Sequence, residues 1–126
     1  MSAEEREASP VAIRFNADKL RYDLIPADVL EELAKLYTQG AAKYAPRNWE
    51  KGFAWMSVYS SLMRHIQAWA LGEDRDPETG RLHLTHAEWN VQVLAAFMLR
   101  GVGVDDRPQL TKASSPTNTS LDVGGG

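Results

Sequence analysis

The chain has 126 residues, of which 44% are apolar, and its 14 Lys and Arg residues against 17 Asp and Glu residues give a formal net charge of −3 at pH 7. This is the length and composition of one small soluble domain. Because the chain has no cysteine, disulfide-stapled secreted scaffolds, zinc fingers and thiol nucleophiles are excluded, and any metal must be bound by His, Asp, Glu or carbonyl groups.

The two ends of the chain differ in composition from the middle. Residues 1–10 and 105–126 are rich in charged, small and polar residues, and the last three residues are glycines. Such segments bury too little apolar surface to offset the entropy lost on ordering, so we expect both to be disordered. Residues 11–104 then form a single helical domain. No apolar run approaches the roughly 20 residues of a membrane helix, so we expect no membrane partner and a cytoplasmic location.

In chain order, the first patterned segment is residues 13–26. Its apolar side chains are mostly alternate in phase, as in Phe15, Leu20, Tyr22 and Leu24. Alternation is typical of extended chain with one buried face. We expect this segment to be an extended N-terminal arm packed on the body.

Three helices are predicted in the body from apolar residues at helical spacing. The first begins after Pro26 and ends at a Gly40 cap, the second covers about Ala54–Leu71, and the third covers about Leu82–Arg100. The third is apolar almost all round, so we expect it to be central or to lie at a subunit contact. The predicted fold class is all-α, a small bundle of three or more main helices with an extended arm and long functional loops. The modest core of a body this small favours a homo-oligomer.

The first long connection between helices, residues 40–53, is basic. Together with Arg64 on the next helix it interleaves cations with two aromatic rings and an amide. A ring can stack on a nucleobase, Lys and Arg can pair with phosphate, and Asn can hydrogen-bond a base edge. Alternatively, the two rings only anchor the loop on the core. The candidate substrate-binding residues are Lys43, Tyr44, Arg47, Asn48, Trp49, Lys51 and Arg64.

The third helix carries a polar stripe that packing does not require. His83, His86 and Asn90 lie at i, i+3 and i+7 on a core-facing side, and His65 borders the core from the second helix. Buried polar groups need partners. The four residues therefore form either a shared functional site or a structural hydrogen-bond network.

The second long connection, residues 72–81, is acidic and lies beside two of these histidines. It holds four carboxylates, and imidazole with carboxylate suits Mn, Fe, Zn and Mg. We expect a divalent metal, Mg²⁺ or Mn²⁺, bound by His65, Glu73, Asp76 and His86. The alternative is that residues 76–80 form a turn chosen for its backbone angles.

The order of charges and the motifs that are missing narrow the function further. A basic region followed by an acidic one suits an anionic ligand with a divalent cation, and a continuous basic surface for nucleic acid is lacking. We therefore expect no nucleic-acid partner. The phosphate-binding Gly-x-x-x-x-Gly-Lys loop, the Gly-x-Ser-x-Gly elbow and the dinucleotide fingerprint are also missing. Kinase, serine hydrolase and nicotinamide oxidoreductase activities are poor interpretations.

Four blocks in this order resemble a known family. The segments Gly40–Gly52, Leu62–His65, Gly72–Gly80 and His83–Asn90 are similar to the phage-associated dATP/dGTP diphosphohydrolase N-terminal domain family, related to the MazZ enzymes. The resemblance covers roughly residues 14–99. It implies an all-α, MazG-like nucleoside triphosphate pyrophosphohydrolase that is metal-dependent and oligomeric and that works in the nucleotide metabolism of a phage, hence in the host cytoplasm.

The sequence departs from the MazG pattern in its carboxylates. That pattern has Glu-Glu-x-x-Glu on one helix, whereas Glu31 and Glu32 are followed by Leu33-Ala34-Lys35. The sole Glu-x-x-Asp, Glu73 to Asp76, lies in a predicted loop. Either the histidines replace the missing carboxylates, or the fold is kept and the chemistry is altered or lost.

The leading hypothesis is hydrolysis of a purine deoxynucleoside triphosphate, dATP or dGTP, to the monophosphate and pyrophosphate. We expect Glu32 to position or deprotonate the attacking water, with His83 and Asn90 as further members of the catalytic group. The alternatives are a nucleotide-binding or regulatory module without catalysis and a helical protein-interaction module that uses the third helix.

Overall fold

The computed structural model describes residues 2–109, and within that range it is all-α, as predicted. Its helices are α1 (Ala3–Ala8), α2 (Ala27–Lys43), α3 (Trp55–Ala70) and α4 (His83–Arg100), with short 3₁₀ helices at Tyr22–Leu24 and Asn48–Lys51. No helix between residues 2 and 109 is both long enough and apolar enough to cross a membrane.

Helix α4 is the centre of the fold, since it packs against both α3 and α2. The core is formed by Val58 of α3 and by Val93 and Phe97 of α4, with Val93 fully buried. Partly buried tryptophans surround these three side chains. The prediction of a central third long helix is therefore confirmed, and its two helical neighbours cover part of its nearly continuous apolar surface.

Helix α2 extends beyond its predicted end. Gly40 lies within the helix, and its carbonyl accepts the N–H of Tyr44. The prediction that Gly40 caps the helix is wrong because the following Ala-Ala-Lys segment favours helix strongly enough to outweigh one glycine, which costs about 1 kcal/mol. The extra turn places Lys43 opposite the acidic connection.

The N-terminal region differs from its prediction in two ways. Residues 3–8, expected to be disordered, form α1, whose start is stabilised by reciprocal hydrogen bonds between Ser2 and Glu5. The arm of residues 13–26 does not pack on the body, since Phe15 and Leu20 are 73% and 79% exposed. Alternation alone does not reveal whether the apolar face has a partner within the same chain.

The segment after α4 also belongs to the ordered body. The Trp55 N–H donates to the Val104 carbonyl, and the Met56 N–H donates to the Asp106 carboxylate at 2.9 Å. Asp106 thus satisfies one of the free N–H groups at the start of α3. The expected disordered tail begins at residue 105, and its residues 110–126 lie outside the described residues.

Candidate functional site

A cavity of about 920 Å³ lies between the C-terminal end of α2, the basic connection, α3 and the N-terminal half of α4. Ten of the fourteen predicted site residues line it. These ten are Lys43, Tyr44, Arg47, Asn48, Trp49, Arg64, His65, Asp76, His86 and Asn90.

The basic connection forms one wall of the cavity. Trp49 packs against Phe97 with ring centroids 6.2 Å apart, so it anchors the loop on the core. Tyr44 is 63% exposed and lacks such an anchor. The ammonium group of Lys43 lies 5.1 Å from the centre of the Tyr44 ring. Of the two rings, Tyr44 is therefore the one available to stack on a ligand.

The acidic connection forms the opposite wall. It folds back on itself, because the Asp76 N–H donates to the Arg81 carbonyl at 2.8 Å and the Gly80 N–H donates to the Asp76 carbonyl at 2.8 Å. Gly80 has a φ of 75°, which a glycine adopts without strain. The turn directs the Asp76 carboxylate toward Thr79 and His86, at 3.1 and 3.3 Å.

Burial and hydrogen bonding shift the pKa of the Asp76 carboxyl group in opposite directions. Burial raises the pKa of its carboxyl group, but hydrogen bonds from Thr79 and the Glu78 backbone, together with the neighbouring His86 and His65, lower it by more in sum, so the net pKa lies below the usual value. Burial also lowers the pKa of His86, and the Asp76 charge only partly offsets this. At neutral pH the wall therefore presents an ionised carboxylate beside a neutral imidazole.

The three histidines form one contiguous cluster. The rings of His65 and His86 are stacked, with centroids 4.2 Å apart and planes inclined by 6°. The Nδ1 atoms of His65 and His83 are 2.9 Å apart, and His83 Nε2 is 2.7 Å from Glu73 Oε1. Burial, followed by the neighbouring His86 and His83, lowers the pKa of His65 to about 4.

Asn90 connects this cluster to α3. Its side-chain Nδ2 donates to the His86 carbonyl at 2.9 Å and to the Ser61 hydroxyl at 3.3 Å. The residue is only 2% exposed. Its Oδ1 makes no hydrogen bond within residues 2–109, and the residue lines the cavity.

Four predicted site residues do not line the cavity: Glu32, Lys51, Glu73 and His83. The Glu32 carboxylate lies 3.2 Å from Arg81 and 3.4 Å from Lys35, because that face of α2 meets the end of the acidic connection. The structure therefore does not support Glu32 as the group that contacts the attacking water. Lys51 is the last residue of the 3₁₀ helix Asn48–Lys51, and it is exposed.

The expected four-residue metal site is not assembled. Glu73 lies at the start of the acidic connection and contacts the buried His83 instead of Asp76 or His86. Over residues 2–109, no group of three or more His, Asp or Glu side chains is arranged to hold a metal ion. The sequence indicated that these residues would be close to one another, but not which of them would pair.

The cavity also contains residues that the sequence analysis did not select. The sequence pattern indicates Glu78 and Thr79 only as members of an acidic turn, and it does not single out Gln39 or Ser61. Ser61 lies one helical turn before His65, a spacing that places both on the same face of α3. Glu78 could have been found only by knowing that α2 continues to Lys43, whose Nζ lies 3.2 Å from the Glu78 carboxylate.

Residues 12–107 match the family model described as dATP/dGTP diphosphohydrolase, N-terminal. The chain is similar to a dATP/dGTP diphosphohydrolase of Salmonella phage PMBT28, with 28% identity over 95 residues that cover 75% of this chain and 32% of the relative. The chain thus spans about a third of the length of this curated relative. No solved structure matches the chain.

Proposed function

The chain belongs to the dATP/dGTP diphosphohydrolase N-terminal family, and from this premise we propose that it hydrolyses dATP or dGTP to the nucleoside monophosphate and pyrophosphate. The observation that carries the proposal is the cavity, with cations on one wall and carboxylates and imidazoles on the other. Its volume of about 920 Å³ lies within the range of small-molecule sites.

The basic wall supplies groups for both ends of a nucleotide. Arg47 and Arg64 line the cavity with Lys43 and provide fixed positive charge for the phosphates. The exposed ring of Tyr44 offers a stacking surface for the base, and the neighbouring Asn48 amide can hydrogen-bond a base edge. In this arrangement the triphosphate extends toward the acidic wall.

The ion pair between Lys43 and Glu78 spans the two walls. The side chains are 58% and 73% exposed, and ion pairs exposed to this degree contribute little to stability because water screens them. A triphosphate can therefore replace Glu78 as the ion-pair partner of Lys43 at a small cost in free energy. Glu78 is then released beside the phosphates, together with Asp76.

Asp76 and Glu78 are the carboxylates that fit a divalent cation delivered with the nucleotide. Mg²⁺ in such sites is commonly held by one or two carboxylates together with substrate phosphates and water. A cation held in this way needs no preformed three-ligand protein site, in keeping with the arrangement of the described side chains. When bound, the cation lowers the pKa of a coordinated water and spreads the phosphate charge.

The direct test is incubation of purified protein with each of the four deoxynucleoside triphosphates in Mg²⁺ or Mn²⁺, with the products separated by ion-exchange chromatography. We expect purine monophosphate and pyrophosphate. Asp76→Asn should abolish turnover, whereas Asp74→Asn, which removes the same charge from an exposed position in the same connection, should retain it. Release of orthophosphate or tripolyphosphate would reject the proposed bond cleavage.

A second candidate is a nucleotide-binding module without catalysis. It is favoured by one observation, the lack of a preformed metal cluster in residues 2–109. It predicts that dATP or dGTP raises the melting temperature while no product forms. Turnover by the wild type that is lost in Asp76→Asn would exclude this candidate.

We also propose that the chain forms a homo-oligomer. Leu84, Val91 and Met98 follow one another at seven-residue spacing along α4 and are 43%, 52% and 60% exposed. This spacing places them in one stripe, and a second copy of the chain could cover it. Light scattering should give a mass of at least two chains, which Val91→Glu should reduce.

A further inference from the structure

A continuous chain of polar groups connects the protein surface to the cavity. It begins at the Glu73 carboxylate, whose side chain is 55% exposed, and passes to His83, whose side chain is 6% exposed, over 2.7 Å. It continues from His83 Nδ1 to His65 Nδ1 over 2.9 Å. His65 lines the cavity, whereas Glu73 and His83 do not.

The chemistry of the groups fixes the direction of these hydrogen bonds. An ionised carboxylate only accepts, so His83 must donate from Nε2 to Glu73. With Nε2–H as the single N–H of His83, its Nδ1 is an acceptor, and the N–H of the pair is carried by His65 Nδ1. His65 is thereby held in the Nδ1–H tautomer, and the lone pair is on Nε2.

The remaining ring nitrogen of His65 is available to a ligand. His65 Nε2 has no hydrogen-bond partner within residues 2–109, and it is not among their fully buried unpaired atoms, so it is accessible to solvent. Stacking on His86 holds the ring in place. A fixed ring with an accessible lone pair meets the geometric requirement for an acceptor of a water proton.

We infer that Glu73 and His83 are positioning residues that hold His65 as the Nδ1–H tautomer, so that His65 Nε2 accepts the proton of the water that attacks the α-phosphate. This inference rests on the proposed function. In the step, the water oxygen bonds to the α-phosphorus and the bond from that phosphorus to the bridging oxygen of pyrophosphate breaks. The water proton moves to His65 Nε2, and the resulting imidazolium releases it to solvent through the cavity.

The electrostatics of the cluster are compatible with this role. The pKa of His65, lowered to about 4 mainly by burial, keeps the ring neutral and its lone pair free near neutral pH. The negative charge of a bound triphosphate raises that pKa, because an adjacent opposite charge favours the protonated form. The Asp76 charge acts in the same direction.

The tautomer is measured directly by ¹⁵N NMR of the imidazole rings in the 126-residue chain near neutral pH. The chain has three histidines, so single His→Gln variants assign each ring. We expect His65 to carry its proton on Nδ1 and His83 on Nε2. A His65 ring protonated on Nε2 would overturn the inference, whatever the activity of the protein.

The kinetic test compares Glu73→Gln with Asp74→Asn, which removes the same charge one residue away from an exposed side chain. A glutamine can either donate or accept, so it no longer fixes the direction of the chain. We expect Glu73→Gln to lower kcat about 10- to 100-fold with KM little changed, as is usual for carboxylate partners of functional histidines. Asp74→Asn should retain wild-type kcat.

The outcomes separate this inference from the proposed function. If Glu73→Gln retains wild-type kcat, or if both variants lose kcat equally, the positioning role is refuted while hydrolysis stands. If the wild type hydrolyses no nucleotide, the proposed function fails, and the proton-acceptor role fails with it. A kcat loss confined to Glu73→Gln, together with the expected tautomer, supports the inference.

Discussion

Replacing Glu32 with glutamine tests whether this residue is a structural partner of Arg81 or a participant in catalysis. The Arg81 guanidinium lies 3.2 Å from the Glu32 carboxylate, and the two side chains are 21% and 26% exposed. The Nε atom of Arg81 is buried without a hydrogen-bond partner. The loss of the Glu32 charge therefore leaves a mostly buried cation with less compensation.

The size of the effect follows from this degree of burial. Exposed ion pairs contribute about 0.2–1 kcal/mol, and removing one partner of a fully buried pair costs about 3–5 kcal/mol. The Glu32–Arg81 pair lies between these two cases, and glutamine retains a hydrogen-bond acceptor for Arg81. We therefore expect Glu32→Gln to lower the free energy of unfolding by about 1 kcal/mol. In a domain of this size that lowers the melting temperature by about 4–8 °C.

The assay combines thermal unfolding, followed by circular dichroism, with steady-state hydrolysis of dATP and dGTP. Glu31→Gln is the matched control, because the Glu31 side chain is 72% exposed and lies 4.0 Å from Lys35. We expect Glu32→Gln to lose stability and retain kcat, and Glu31→Gln to retain both. An unchanged melting temperature with a 100-fold or larger loss of kcat would place Glu32 in the reaction, by the usual size of an acid–base contribution of about 10²–10⁴.

Three further predictions concern the ligand, the metal and pH. Lys43→Gln should raise the KM for the nucleotide about tenfold, because the variant loses a charge-assisted hydrogen bond to the phosphates. The exposed Lys19→Gln should leave KM unchanged, and equal KM values for both variants would contradict the assignment. Chelation by EDTA should abolish turnover without changing the circular dichroism spectrum, and unfolding by EDTA would instead reveal a structural metal. The free energy of unfolding, measured in urea, should fall as the pH is lowered from about 6.5 to about 4. The pKa of His65 is lowered from 6.5 to about 4 in the folded state, so over this range His65 binds a proton in the unfolded chain but not in the folded one. His65→Gln should flatten this dependence, and an unchanged slope would exclude His65 as its source.

The long helices could be predicted from the sequence because their apolar residues recur at helical spacing. In the folded chain these residues pack against neighbouring helices, as the spacing predicts. The predicted second and third helices differ by a residue or two from Trp55–Ala70 and His83–Arg100. Because glycine commonly ends helices, the sequence predicts a cap at Gly40, but the residues after it favour continuation of the helix. Local sequence does not decide between these two tendencies when the neighbouring structure is unknown.

The sequence also predicted which segments of the chain line the cavity. Residues on the two long connections and on facing helices were expected to lie together, and most of them do. The pairing of individual groups was not predictable, since it depends on differences of a few ångströms. Glu73 and Asp76 are three residues apart, yet one contacts His83 and the other His86.

The most direct test of the account is hydrolysis of dATP and dGTP in H₂¹⁸O, with the products analysed by mass spectrometry and ³¹P NMR. The proposed attack of water on the α-phosphorus, with the phosphates placed between Lys43 and Asp76, predicts that ¹⁸O appears in the purine monophosphate and that pyrophosphate is unlabelled. Label in pyrophosphate, or release of labelled orthophosphate, would contradict the account.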